Sequence, residues 1–257
     1  MPEARRLTGR RVVITRPAPQ ADGLIRLLQT VGAEPIFFPV IDILPLADTA
    51  PLAALADQLA QIDAAFFVSR NAVAQTLAVL PRERWPDSVA ISTVGPGSAA
   101  DLRAAGFADV LVPATQFDSE GVLALEVFSA AKIAGKRVLI LRGDGGRELL
   151  AEVLQQRGAI VQVQPCYRRM PAQTDATALR EAWRHGGIDA LSFTSSEGAR
   201  NFASLLGEEA AALLASCACF VPHERIAQQL RGLGARSIRL TEAGDVGLVA
   251  ALQEHFA

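Results

Sequence analysis

Short apolar runs alternate with amphipathic stretches along the whole chain, and the clearest instance is Lys136–Tyr167. An apolar run, Val138–Leu141, gives way to a polar, glycine-rich turn, Arg142–Arg147. Leu149, Leu150, Val153 and Leu154 then share one face at helical spacing, and Gly158 ends that helix. A second apolar run, Ala159–Val163, stops at Pro165. The pattern predicts a strand–helix–strand unit, whose first turn is where an α/β sheet binds ligands.

Nearly the same pattern opens the chain. Arg11–Ile14 matches Arg137–Ile140, Arg16 matches Arg142, Gly32 matches Gly158 and Pro39 matches Pro165, at a constant offset (140 − 14 = 126). The offset persists in Ile62-Asp63-Ala64 against Ile188-Asp189-Ala190, and in Phe67-Val68-Ser69 against Phe193-Thr194-Ser195. Val94-Gly95-Pro96 then aligns with Phe220-Val221-Pro222. By Leu102 and Leu230 the offset has grown to 230 − 102 = 128 through a small insertion. Solenoid repeats run at roughly 20–50 residues, so this longer period means two similar domains.

In chain order the pattern predicts strand 11–14, helix 20–31, strand 35–38 and an extended, proline-bounded connector at 40–45. Helix 52–61, strand 64–68, helix 70–80, strand 89–94, a turn at 95–97, helix 98–105, strand 109–112 and helix 117–131 follow. After the central unit come a second connector, 166–170, a helix from Asp175, strand 190–194 and a helix from Ser196. Strand 217–221, a helix from Glu224, strand 237–240 and helix 245–255 complete the chain. Such alternation implies parallel sheets covered on both faces. The fold class expected is therefore α/β: two similar flavodoxin/Rossmann-like parallel-sheet domains from an internal duplication.

The duplication can be cut in two ways. Two sequential halves could meet near residue 130, or each strand–helix–strand unit could pack with the other half of the repeat. The second arrangement is preferred: domain 1 from 1–39 and 171–257, domain 2 from 46–165, joined by a two-stranded linker of 40–45 and 166–170. It is expected to leave a cleft faced by the strand-to-helix turns of both domains.

Composition narrows the function classes. The 257 residues carry a net charge of −2 and few aromatics, so no nucleic-acid partner is expected. Half the residues are hydrophobic, but their runs are short and interrupted, so no membrane span is expected. The basic start, MPEARRLTGRR, lacks the apolar core of a signal peptide, and the expected location is cytoplasmic. Cys166, Cys217 and Cys219 read as buried reduced thiols, and His185, His223 and His255 have no ligand spacing, so no metal is expected.

The strand-to-helix turns carry the candidate chemistry. Gly143-Asp144-Gly145-Gly146 invites a dinucleotide reading, but Glu148 occupies the third fingerprint position and Gln164 stands where a ribose-binding acid belongs. Instead the turns offer arginines, hydroxyls and helix N-termini: Arg16; Ser69 and Arg70; Gly95 and Ser98; Arg142 and Gly143; Thr194, Ser195 and Ser196. Helix N-termini bind anions and arginine forks grip carboxylates, so these turns, with little acid among them, point to a multi-anionic ligand. Taken singly, each hydroxyl is an ordinary helix cap.

VVITRP at 12–17, FFVSRNAV at 66–73, TVGPGSA at 93–99, DSEGVL at 118–123, LILRGDGGRELL at 139–150, CYRR at 166–169 and LSFTSSEGARNF at 191–202 together resemble uroporphyrinogen-III synthase. No one motif is specific; their order and spacing across the chain are. The resemblance implies two α/β domains with the swapped connectivity, and cyclisation of hydroxymethylbilane to uroporphyrinogen III in tetrapyrrole biosynthesis. That substrate is a linear tetrapyrrole with eight carboxylates; water is lost and the terminal ring is inverted. No cofactor is implied, and a monomer is expected.

Electron-rich pyrroles expel the hydroxyl once it is protonated, so this chemistry asks for a proton donor and not a nucleophile. The terminal ring must also attack through its substituted carbon to form a spiro intermediate, an orientation problem worth roughly 7–11 kcal/mol. Tyr167, the only tyrosine, matches the residue the family is thought to use near the leaving hydroxyl. Ser98 stands where most relatives carry threonine, and Pro222-His223-Glu224 departs from a glycine- or threonine-bearing turn. The alternatives are a non-catalytic two-domain binder of a small polyanionic ligand, and a regulatory domain of the same fold.

Overall fold

The structure, a computed structural model, describes residues 7–145 and 148–257. Gly146 and Arg147 of the glycine-rich turn, and the basic start Met1–Arg6, lie outside the described residues. From the N-terminus, β1 (Arg11–Ile14), α1 (Asp22–Thr30), β2 (Glu34–Phe37) and β3 (Ile41–Leu44) are followed by α2 (Ala50–Ala53). Next come β4 (Ala64–Phe67), α3 (Arg70–Val79), β5 (Ala90–Thr93), α4 (Pro96–Ala104) and β6 (Val110–Leu111). Two short helices, α5 (Ser119–Leu123) and α6 (Ala130–Ile133), lead into β7 (Arg137–Gly143), α7 (Leu149–Gln156) and β8 (Ile160–Pro171). The rest is α8 (Thr177–Arg184), β9 (Ala190–Ser192), α9 (Ser196–Leu206), α10 (Ala210–Ser216), β10 (Ala218–Val221), α11 (Glu224–Gly232), β11 (Ser237–Leu240) and α12 (Gly244–His255).

The alternation of helix and strand is as read from the pattern, while the stretches 52–61 and 117–131 differ in form. The stretch 52–61 is one turn of α-helix and two 3-10 turns, because Leu52, Leu55 and Leu59 reach the core equally well from 3-10 spacing. The stretch 117–131 breaks into α5, a 3-10 turn at Glu126–Phe128 and α6. A straight helix would spread Val122, Leu123, Phe128 and Ile133 over more than half its circumference, whereas the broken path buries all four. The helix from Ser196 ends where Gly207 takes φ 60°, and the chain restarts as α10. Helix ends marked by Gly32 and Gly158 do lie where the repeat puts them, both at φ 86°, a conformation that a side chain strains.

The chain divides into two compact units, Met1–Asp42 with Met170–Ala257, and Ile43–Arg169. The first holds a sheet of order β11-β10-β9-β1-β2, whose neighbours all pair in parallel. The second sheet has the order β3-β8-β7-β4-β5-β6, parallel from β8 through β6. Its central strands are buried on both faces. Ala65, Phe67, Leu139 and Leu141 belong to one apolar cluster, and Ala64, Phe66, Val138 and Ile140 to another, as a strand period of two requires. Segment 166–170, expected as a connector, is the continuous end of β8, and β3 is its neighbour in the sheet.

Strand pairing exchanges the halves of the repeat. β1 lies beside β9, with Val12 opposite Ala190, and β7 lies beside β4, with Val138 opposite Ala64. At the start of each pair an aspartate joins the strands. Asp63 accepts from the Arg137 N–H (2.8 Å) and the Lys136 ammonium (2.9 Å), and its own N–H donates to the Arg137 carbonyl (2.9 Å). Asp189 accepts from the Arg11 N–H (2.8 Å) and the Arg10 guanidinium (2.7 Å), and its N–H donates to the Arg11 carbonyl (3.0 Å).

The Arg137 N–H, and after it the Lys136 ammonium, hold the Asp63 carboxyl below its ordinary value. A lowered value means stability that is present above the unfolded-state value and lost as pH falls through the folded one. Asp63→Asn is therefore expected to destabilise the protein by about 1 kcal/mol at pH 7, the pair being half exposed. In urea titrations the gap between the two proteins should close at pH values below the folded-state value. A gap that stays constant with pH would rule out the charged clamp as its source.

Candidate functional site

In the second unit, the turns singled out from the sequence stand at the C-terminal ends of adjacent strands, in the order β8, β7, β4, β5. Ser69, just past β4, caps α3 by accepting from the Ala72 N–H (3.2 Å). Its hydroxyl also meets the Tyr167 hydroxyl at 3.1 Å. Tyr167 is 1 % exposed and belongs to the core on that face of the sheet. Opposite it Gly143 packs closely: a Cβ there would stand 3.0 Å from the tyrosine ring, which would have to give way slightly. A register shift between Arg142 and Gly143 brings Gly143 opposite Tyr167 and seats the Cys166 thiol against the Arg142 carbonyl at 3.1 Å.

Arg70 opens α3 and forms a two-point ion pair with Asp101 of α4 (2.6 and 3.0 Å). Gly97, one turn before that aspartate, lies against the Arg70 side chain, where a Cβ would stand 3.4 Å from its Cδ. Gly95 precedes α4 as its cap, so the expected turn at 95–97 is already helix from Pro96, a residue preset for the first helical position. Ser98 is buried in the first turn of that helix. Arg142 pairs with Glu148 at 2.7 Å.

In the first unit, β1 and β9 are neighbours, and Arg16 follows one while Thr194, Ser195 and Ser196 follow the other. Ser195 caps α9 by accepting from the Gly198 N–H (2.9 Å), the repeat of the Ser69 cap (69 + 126 = 195). Thr194 is exposed, whereas the Ser196 hydroxyl is shielded from solvent without a hydrogen-bond partner. Arg16 pairs with Asp245 of α12 at 2.6 Å and is mostly buried. Glu224, the residue in the departing turn, starts α11 and pairs with Arg231.

The expectation of turns with little acid among them thus needs correcting. Arg16, Arg70 and Arg142 all have carboxylate partners: Asp245, Asp101 and Glu148. Two of those acids come from helices and one from the end of the glycine-rich turn, so the sequence of each turn alone hides them. Their presence holds the guanidinium forks in place and leaves the edges nearly balanced in charge. Among the described residues no group of three or more histidines, cysteines, aspartates or glutamates is placed to hold a metal ion.

A family model described as uroporphyrinogen-III synthase HemD matches residues 22–247. The uroporphyrinogen-III synthase of Salmonella typhimurium is 34 % identical over 249 residues, 94 % of this chain and 99 % of the relative. That of Escherichia coli is 33 % identical over the same shares. Among solved structures, a mutant uroporphyrinogen III synthase from Thermus thermophilus superposes with a TM-score of 0.61 at 19 % identity, covering 95 % of this chain and 99 % of that one. The Helicobacter pylori uroporphyrinogen-III synthetase does so with a TM-score of 0.58 at 16 % identity over the same shares. These two share the α/β fold described above.

The cysteines offer no nucleophile at these edges. Burial raises the Cys166 thiol to about 11 and the Cys219 thiol to about 12, and it raises Cys217 as well. All three are free of disulfides. The folded protein is expected to leave Ellman's reagent unreacted at pH 7.5, with three thiols appearing on denaturation. Because a raised value keeps a proton that the unfolded chain gives up, this part of the stability is whole below about pH 9 and is lost as pH climbs through about 11. Rapid labelling of Cys166 in the native protein would contradict its burial.

Proposed function

The chain belongs to the uroporphyrinogen-III synthase family, and from that premise we propose that it closes hydroxymethylbilane to uroporphyrinogen III, with loss of water and inversion of the terminal ring. It is a cyclising lyase of tetrapyrrole biosynthesis. The observation that carries the reading is the match across 94 % of the chain to relatives of that activity. The paired Tyr167 and Ser69 hydroxyls at the sheet edge supply the donor that the reaction needs.

The proton path follows from the hydroxyl geometry. Ser69 Oγ takes the Ala72 N–H and lies 3.1 Å from the Tyr167 oxygen. Either hydroxyl can donate in that pair; because Tyr167 is buried and Ser69 half-buried, we take the phenol O–H to donate outward to Ser69, leaving the Ser69 O–H for the substrate. A bilane hydroxyl at that point leaves as water when the Ser69 proton moves to it and the Tyr167 proton follows to Ser69. Arg16, Arg70 and Arg142, with the helix starts at Gly95–Ser98 and Thr194–Ser196, are the proposed carboxylate contacts. The Arg142–Gly143 turn keeps Tyr167 in place. We read 40–45 and 166–170 as a two-stranded linker, and the enzyme as a cytoplasmic monomer that uses no cofactor or metal. No described helix is long and apolar enough to cross a membrane.

The deciding assay incubates the protein, after exhaustive dialysis against a chelator, with freshly generated hydroxymethylbilane and separates the isomers. The expected product is type III; type I alone, or activity that returns only with an added cofactor, would refute the reading. Within that assay Tyr167→Phe should lower turnover at least about tenfold, while losing one hydrogen bond costs only about 1 kcal/mol of stability. Ser69→Ala should fall to a similar rate, and the double variant no further, because the two hydroxyls act as one path. Wild-type turnover in the Phe variant would make Tyr167 a packing residue.

A further inference from the structure

Arg168, the residue after Tyr167, differs from the other arginines of its edge. Arg70 and Arg142 are neutralised by Asp101 and Glu148. The Arg168 side chain has no acid or hydrogen-bond partner among the described residues, and its Nε is shielded from solvent. Arg180 also has a shielded Nε, but Glu209 lies 2.8 Å from it. The side chain cannot shed its charge by losing a proton, and a shielded Nε donor without a partner is a standing cost until an acceptor arrives.

The backbone around Arg168 is fixed. Asp144 donates its N–H to the Tyr167 carbonyl (2.9 Å), and its carboxylate accepts from the Arg169 N–H (3.2 Å). Residue 168 is therefore held on both sides, one residue beyond the Gly143–Tyr167 pairing, with its Cα about 3.8 Å from that of Tyr167. Asp144 spends an oxygen on that backbone contact and forms no ion pair with Arg168.

We propose that Arg168 is a substrate-binding residue that takes a carboxylate of the tetrapyrrole at the C-terminal end of β8. This deepens the function proposed above and rests on it. Arg168 supplies the uncompensated positive charge that the paired arginines do not, and it acts by binding and orientation. Uroporphyrin III, the oxidised form of the product with the same eight carboxylates, is a stable probe of that contact.

The test measures uroporphyrin III binding by fluorescence, together with KM and kcat for type III formation. It compares the wild type with Arg168→Gln, Arg168→Lys and, as a control, Arg26→Gln on the exposed face of α1. Losing a charge-assisted contact should raise Kd and KM of the Gln variant roughly 10- to 100-fold. Lysine should recover part of the loss, since it keeps the charge but not the fork. Added salt should weaken the wild type more than Arg168→Gln, a response that a purely structural role would not produce. Wild-type Kd and KM in Arg168→Gln, with circular dichroism unchanged, would overturn the proposal. Coproporphyrin III, with four carboxylates, tells which kind of side chain is read: an unchanged Kd for it alongside a weakened one for uroporphyrin III assigns Arg168 to an acetate, and weakening of both to a propionate. A wild type that binds uroporphyrin III yet makes no type III isomer would sink the function reading while the binding comparison still judged Arg168; a wild type that binds neither porphyrin would sink both.

Discussion

One reciprocal clamp recurs at the start of both exchanged strand pairs: an aspartate before a central strand grips the first residue of the strand beside it. Asp63 holds Arg137 and Asp189 holds Arg11, each by a carboxylate on the N–H and an N–H on the carbonyl. In repeat terms these are the same contact, since 63 + 126 = 189 and 11 + 126 = 137. Within one copy the partner of Asp63 would be Arg11; the observed partner is its equivalent in the other copy. Even the flanking cation follows, with Lys136 on Asp63 and Arg10 on Asp189 (10 + 126 = 136). A duplicated chain can make each clamp in either copy at the same local cost, so the exchange is a property of the whole chain.

The site follows from that pairing. Exchanging the central strands puts the end of β7, with Arg142 and Gly143, between the ends of β8 and β4, and so between Tyr167 and Ser69. Sequential halves would have set Arg16 beside Ser69 instead. Parallel strands send all their C-terminal ends to one edge, which gathers helix starts and short polar turns there. The tight pairing of Arg16, Arg70 and Arg142 with acids changes the electrostatics of these edges. Any further anion there would meet guanidinium groups that already share a charge.

The alternation of helix and strand, the duplication and the positions of Gly32 and Gly158 were legible in the residues, because apolar periodicity and glycine conformation are local properties. So were the serine caps, whose reach is three residues. The broken paths at 50–61 and 117–133 were not, because a spacing of three or four residues fits several helical forms and only the shape of the surrounding core selects one. The acids on the arginines escaped for a related reason: Asp245 lies 229 residues from Arg16 and meets it through folding alone. The burial of Tyr167 was hidden as well, since it depends on the register shift that slides Gly143 under its ring. What the sequence by itself determined is what each segment does with its neighbours within a few residues. Which copy of a repeated strand pairs with which, and which charges are left without partners at the edge, were decided by the tertiary structure, because the two copies carry the same local pattern and only long-range packing tells them apart.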